Sequence, residues 1–501
     1  MGATAPWPAR KGSFRDLRDR PAVCGRQGPG LRGRVSGRLH LRGQADAVHP
    51  PRRVRGLRRL RAGVPGRGDL LRGRHAPDLV GLLPRQRRVL QRPRLPGRRG
   101  EDGRHRQGRP DDRRPAPAGL SVPLHGRALP DFPWDSLAPA KTRAAAHPGG
   151  IVDLSVGTPV DPTPAVAQEA LREAANAPGY PQTVGTLALR EAVVAWFARR
   201  RGVPDLGVDG VLPTLGSKEM VALLPALLGL GEGDVVVHPR AAYPTYDVGA
   251  RLAGATPVPV GEDPTTWPER TRLVWLNSPG NPDGHVLGVD QLAAVVAWAR
   301  ERGAVVASDE CYAELPWRAP WTEEGVPSLL DPRVTGGDHA GLLALYSLSK
   351  QSNLAGYRAA FVAGDPALVG PLTEVRKHAG MIVPFPVQAA MTAVLADDAH
   401  VAAQRERYRA RREVLLGAVE AAGLALDPAT AAGLYLWVRA AGRDDVGSWE
   451  LVDALAHRGI LVAPGSFYGP HGEGYVRVAL TATDERVAAA ADRLGGGGRL
   501  F

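Results

Sequence analysis

Lys350 lies in the run Ser347-Leu348-Ser349-Lys350, and Arg358 follows eight residues later. An apolar run at residues 342–346 leads into it with the texture of a strand, so an amine, hydroxyls and a guanidinium meet at one strand end. A lysine amine placed there can condense with an aldehyde cofactor. Ser347 and Arg358 are the groups that would grip that cofactor's phosphate. A surface lysine beside a loop has the same spacing, so the pattern needs support from the rest of the chain.

Support comes from residues upstream and downstream. Thr214-Leu215-Gly216-Ser217-Lys218-Glu219 opens a helical pattern, and free backbone N–H groups at a helix start bind anions; an ordinary N-cap serine would read the same way. Tyr243 is an aromatic available to stack on a planar ring, or a turn tyrosine packed on the core. Asn281 sits in the turn-forming loop Asn277-Ser278-Pro279-Gly280-Asn281-Pro282-Asp283-Gly284 and can donate to a phenolate oxygen. Asp309 follows an apolar run, where a carboxylate can pair with a pyridinium nitrogen and keep the ring an electron sink; the alternative is a helix cap. Tyr312 could share the phenolate, and Cys311 between them reads as a small buried side chain. Arg477 interrupts the apolar strand Tyr475-Val476-Arg477-Val478-Ala479-Leu480, which requires a partner: a substrate carboxylate held by its planar fork, or an internal salt bridge.

The elements that position these groups alternate. Residues 235–237, 273–276 and 305–308 read as buried strands, and Asp290 to Gly303 as an amphipathic helix with Leu292, Val295, Val296 and Ala299 on one face, Asp290 as N-cap and Gly303 as stop. Such alternation predicts an α/β fold with a mainly parallel sheet and a ligand beyond the C-terminal strand ends. After about residue 395 the pattern becomes a smaller α+β unit, closing on Gly495–Gly498 with a frayed end. The expected division is a head at 1–120, a joining segment at 121–160, a large cofactor domain at 161–395 and a small domain at 396–501.

Bulk composition bounds the location. No apolar run reaches membrane-spanning length, and no apolar segment follows the basic start as a secretory signal would require. Two cysteines, Cys24 and Cys311, build neither a disulfide framework nor a zinc site, so no metal and a cytoplasmic location are expected.

The net charge of +13 conceals an asymmetry. Residues 1–120 hold 31 basic and 9 acidic side chains, whereas the remainder holds 33 and 42. The head is Arg/Gly/Pro-rich, has no sustained periodicity and reads as disordered. One reading is an arginine-rich nucleic-acid-binding tail, although interleaved aromatics are missing. Another is GC-rich DNA read in the wrong frame. With permitted codons, a one-nucleotide shift turns residues 54–71 into the C-x2-C-x2-C-x3-C-P spacing of an iron–sulfur ferredoxin. The expectation is an upstream gene read out of frame, and nucleic acid is not expected as a partner.

In chain order, Gly157-Thr158-Pro159, Tyr180, Ser217, Tyr243, Asn281-Pro282, Asp309 with Tyr312, Ser347-x-x-Lys350, Arg358 and Arg477 resemble the fold-type I, class I/II aminotransferases, which use pyridoxal 5′-phosphate. The likeness spans residues 130–490 and none of the head. It implies a large domain with a seven-stranded, mainly parallel sheet and a smaller α+β domain. It implies catalytic roles for Lys350, Asp309 and Tyr243, with Lys350 holding the cofactor and shuttling the proton, Asp309 meeting the pyridine nitrogen and Tyr243 stacking on the ring. Asn281 and Tyr312 would meet the ring oxygen. Gly216, Ser217, Lys218, Ser347, Ser349 and Arg358 would surround the phosphate. Gly157, Asn281 and Arg477 would bind the amino-acid or 2-oxo-acid substrate. Tyr180 would reach the cofactor of a neighbouring subunit, which implies a homodimer. The family's Asn-Pro-Thr-Gly reads Asn281-Pro282-Asp283-Gly284 here, and the residue facing the ring is intact.

The wording of residues 153–162, 238–246, 347–361 and 476–486 resembles succinyldiaminopimelate transaminases, which exchange amino groups between glutamate and N-succinyl-2-amino-6-oxopimelate in lysine and diaminopimelate synthesis. Other specificities (aspartate, aromatic, N-acetylornithine), a C–S lyase on the same scaffold, and a regulator with a DNA-binding head remain as alternatives.

Overall fold

The computed structural model describes residues 129–501, and the expectations for the basic head lie outside them. Short β-branched runs set off by glycine, proline and aspartate become the strands: β1 (Val152–Asp153), β2 (Val211–Leu215), β3 (Val235–Pro239), β4 (Thr256–Val260), β5 (Thr271–Asn277), β6 (Val305–Asp309), β7 (Leu342–Ser347), β8 (Ala359–Gly364), β9 (Leu424–Leu426), β10 (Tyr435–Ala440), β11 (Ile460–Leu461), β12 (Ala463–Pro464) and β13 (Tyr475–Ala479).

β2 to β8 form the expected seven-stranded sheet, in the order β2-β8-β7-β6-β5-β3-β4. All neighbours are parallel except at β8, which runs against both β2 and β7. The strands are apolar on both sides because helices cover both faces, and alternate residues serve opposite cores. Tyr346 and Phe361 pack with Trp196 and Phe197 on one face. Leu345 and Val362 join Met220, Tyr246 and Trp275 on the other.

A second sheet, β12-β13-β10-β9, is antiparallel, and β1 pairs with β11 beside it. Leu137, Ala140 and Ala144 of the early helix Ala138–Ala145 and the turn before it are buried in this C-terminal core. Helix Asp398–Ala421 contributes Tyr408, Leu415 and Val419 to the same core. Among the described residues no helix is long and apolar enough to cross a membrane.

Two local expectations are corrected. The helix expected from Asp290 is Val289–Arg302, capped by Gly288; the Gly288 N–H donates to Gln291 Oε1 at 2.8 Å, and Asp290 falls in the first turn, where its charge faces the positive helix end. Gly303 ends it as expected, in the left-handed conformation. The frayed end is instead tied down: helix Asp484–Gly496 runs into the glycine tract, and the Arg458 guanidinium donates to the carbonyls of Leu494, Gly497 and Gly498.

Candidate active site

Parallel pairing brings the chemistry-bearing residues to one edge of the sheet. Asp309 ends β6 directly beside Asn277, the last residue of β5, and Ser347 ends the next strand, β7. A cavity of about 650 Å³ opens at these ends. Gly157, Ser217, Lys218, Tyr243, Asn281, Asp309, Tyr312, Ser347, Ser349, Lys350, Arg358 and Arg477 all line it. Gly216 lies behind this wall, and Tyr180 does not line the cavity of its own chain but is fully exposed.

The amine of Lys350 donates to the Gly157 carbonyl. Asp309 is buried, and its carboxylate accepts from the Tyr246 hydroxyl at 3.2 Å and the Cys311 N–H at 3.3 Å. Burial pushes its carboxyl above the ordinary range, against these hydrogen bonds. It therefore ends β6 as a strand-mouth carboxylate, not as a helix cap. Burial likewise pushes the phenols of Tyr246 and Tyr312 well up, so both stay protonated donors. Burial raises the Cys311 thiol too and keeps it neutral.

Helix Ser217–Leu227 points its N-terminus at the cavity, with Gly216 rather than Ser217 as its cap. Gly216 has φ +81°, and a Cβ there would come 2.1 Å from Nη2 of Arg358. Backbone geometry and the close guanidinium thus both require glycine. Ser347 Oγ donates to Ser349 Oγ at 2.9 Å. Helix N-terminus, paired serines and Arg358 form an anion cradle.

Arg477 is buried, and its Nη1 donates to Asn281 Oδ1 at 2.9 Å and its Nη2 to the Ser155 carbonyl at 2.7 Å. Its guanidinium lies 3.9 Å from the centre of the Tyr435 ring. Among the described residues no carboxylate pairs with it, so the internal salt bridge is not formed. Asn281 keeps its amide N–H₂ for a ligand, since its oxygen is taken by Arg477.

Sequence reasoning passed over Tyr246, Asn277, Tyr435 and Trp134, all of which line the cavity. Tyr246 was legible, three residues after Tyr243 at a helix start. Asn277 pins its own loop to the next strand: its Nδ2 donates to the Asp309 carbonyl at 2.8 Å, and its Oδ1 accepts from the Asn281 N–H at 2.8 Å. Tyr435, whose hydroxyl meets Tyr312 at 3.1 Å, gave no local signal. Gly157 is small because of it; a Cβ there would lie 2.1 Å from the Tyr435 hydroxyl.

The fold is that of the fold-type I pyridoxal-phosphate enzymes. The signature of the aminotransferase class I and II family matches residues 150–494, and the chain belongs to that family of pyridoxal 5′-phosphate-dependent aminotransferases. It is similar to a 4-dedimethylamino-4-oxo-anhydrotetracycline transaminase of Streptomyces rimosus, 58% identical over 369 residues covering 74% of this chain and 99% of that protein. It is similar to a probable aminotransferase of Mycobacterium tuberculosis, 55% identical over 430 residues covering 82% and 99%. Among solved structures, a probable N-succinyldiaminopimelate aminotransferase of Thermus thermophilus is 29% identical with a TM-score of 0.65, over 73% of this chain and all of that one.

Proposed function

We propose that this aminotransferase exchanges amino groups between glutamate and N-succinyl-2-amino-6-oxopimelate. The carrying observation is Arg477, a buried cation that among the described residues hydrogen-bonds to uncharged acceptors, and that lines the same cavity as the Lys350 amine. Its planar fork suits an α-carboxylate. Among the described residues, Lys218, Lys350, Arg358 and Arg477 line the cavity against two carboxylates, Asp131 and Asp309, which favours a phosphorylated cofactor and a substrate with several carboxylates. The named Thermus relative and the wording of the segments around Lys350 and Arg477 support this choice.

The residues fit the family's cofactor. Asp309 is a buried carboxylate with no cation paired to it among the described residues, the cradle of Ser217, Ser347, Ser349 and Arg358 suits a phosphate, and Gly216 leaves room for the guanidinium. When bound, pyridoxal 5′-phosphate supplies an electrophilic carbon and a sink for electrons. Asp309 would hold a negative charge at the ring nitrogen, and Tyr246 keeps that carboxylate oriented. Asn281 and Tyr312 would donate to the ring oxygen, and Tyr243 would cover the ring face. Arg477 would orient the substrate by its carboxylate and set its α-carbon toward Lys350. Lys350 would take the α-proton from the substrate, and the Gly157 carbonyl, which accepts a hydrogen bond from its amine, would steady that amine.

We further assign the chain to a homodimer in the cytoplasm, in which Tyr180 completes the partner's cofactor site; Val156, Val160, Tyr180 and Leu187 are large apolar side chains left exposed in one segment. Residues 1–120 have no part in the chemistry, which belongs to the large domain at 161–395 and the small domain formed by 121–160 with 396–501.

A second reading is favoured by the 58% identity to the Streptomyces enzyme: a polycyclic ketone as amino acceptor, against the aromatic wall of Phe132, Trp134, Tyr243 and Tyr435. A paired assay separates the two. With glutamate as donor, release of 2-oxoglutarate is measured with each acceptor. Turnover on N-succinyl-2-amino-6-oxopimelate at least about tenfold above the polycyclic ketone supports the first reading; the reverse ratio overturns it.

A further inference from the structure

The loop that follows Lys350 is held from one side by a single helix. His400, Gln404 and Tyr408 stand at i, i+4 and i+8 of helix Asp398–Ala421, one above the other on one face. Each meets a different residue of the loop. His400 Nε2 lies 2.9 Å from Ser352 Oγ. Gln404 Oε1 accepts from Asn353 Nδ2 at 2.9 Å. The Tyr408 hydroxyl donates to the carbonyl of Lys350 itself at 3.4 Å. Asn353 carries φ +52°, a conformation that side-chain hydrogen bonds must secure, and its Nδ2 also donates to the Pro162 carbonyl at 3.2 Å.

Ser352, His400 and Asp397 form a serine–histidine–carboxylate relay, with His400 Nδ1 at 3.2 Å from Asp397 Oδ2. It is not a hydrolytic centre. Ser352 is fully buried and does not line the cavity, so its hydroxyl meets no substrate. In the tautomer that gives Nδ1–H to Asp397, His400 Nε2 accepts from the Ser352 hydroxyl.

The same face reaches the substrate side. Gln404 Nε2 donates to Asp161 Oδ2 at 2.8 Å, and Arg411 holds Asp161 in a bidentate pair at 2.6 and 2.8 Å. Asp161 ends the segment whose Ser155 and Gly157 carbonyls take Arg477 and Lys350. The carboxylate clamp and the catalytic amine are therefore indexed to one helix.

We propose that His400 and Gln404 are positioning residues, which set the Lys350 amine through the loop 350–353 without touching substrate or cofactor. The proposal rests on Lys350 being the cofactor-holding amine. Its test is the single-turnover half-reaction of the full-length, cofactor-loaded enzyme with glutamate, followed by visible absorbance. Loss of one buried hydrogen bond predicts that S352A and H400F each slow this step about tenfold, with glutamate affinity within about twofold. The double variant should be no slower than the slower single, because both singles break the same Ser352–His400 contact. H400Q, which keeps an acceptor at the Nε2 position, should restore the rate; H400N, which keeps only the Asp397 contact, should not. A rate for S352A within about twofold of the parent, or equal rates for H400Q and H400N, overturns the proposal. If H400F loads no cofactor, the H400Q and H400N pair alone decides. Failure of the underlying assignment is distinct: the parent enzyme would then carry its cofactor on a lysine other than Lys350.

Discussion

Arg477→Lys tests the substrate side most sharply, because it keeps the charge and removes the fork. The arginine donates through Nη1 to Asn281 and through Nη2 to the Ser155 carbonyl, which fixes the guanidinium plane against Tyr435. A lysine ammonium cannot hold both anchors and a carboxylate in one plane. One to two charge-assisted hydrogen bonds are lost, about 2–4 kcal/mol in total. That corresponds to about 30- to 1000-fold. The loss should fall on ground-state binding. KM for glutamate and the dissociation constant of a non-reactive dicarboxylate should rise together, while the cofactor's visible spectrum stays unchanged. Both constants staying within about threefold, in a folded and cofactor-loaded variant, would refute the carboxylate assignment.

Burial raises the Asp309 carboxyl, so the apo fold favours its protonated form more than the unfolded chain does; stability from that proton is present at acid pH and is lost as pH rises through the raised value. Apo D309N should therefore melt above the apo parent at neutral pH and no higher at acid pH, whereas the loaded D309N should melt below its parent and turn over about 10²- to 10³-fold more slowly, as expected for breaking a buried pair. Calorimetry with and without cofactor checks the crossing. G216A adds about 1–3 kcal/mol of backbone strain and pushes on Arg358; cofactor affinity measured by fluorescence titration should fall at least about tenfold. A chain starting at residue 121 should keep kcat and KM within about twofold and should match the full chain in light scattering as a dimer.

How much was legible depended on locality. The Lys350 loop, the Asn281 turn and Asp309 were readable because each follows an apolar run, and a parallel sheet sends such ends to one edge. Their mutual distances were not readable, since they depend on strand order. Tyr435 lies on the strand paired with that of Arg477 in the second sheet, and Trp134 on the short helical turn Pro133–Leu137, so both meet Arg477 only once the chain is folded. Boundaries shifted for local reasons: a glycine N–H satisfied by Gln291 starts one helix early, and Arg458 carries the last helix into its glycines. The polar ladder of His400, Gln404 and Tyr408 was invisible because its partners lie some fifty residues upstream.

The chain has five lysines, Lys11, Lys141, Lys218, Lys350 and Lys377, and among the described residues only Lys218 and Lys350 line the cavity. Borohydride reduction of the loaded enzyme, followed by peptide mapping, tests the central claim directly. The cofactor's mass should appear on Lys350 alone, with activity lost in proportion. Label on Lys218, or no label on Lys350 in an active enzyme, would contradict it.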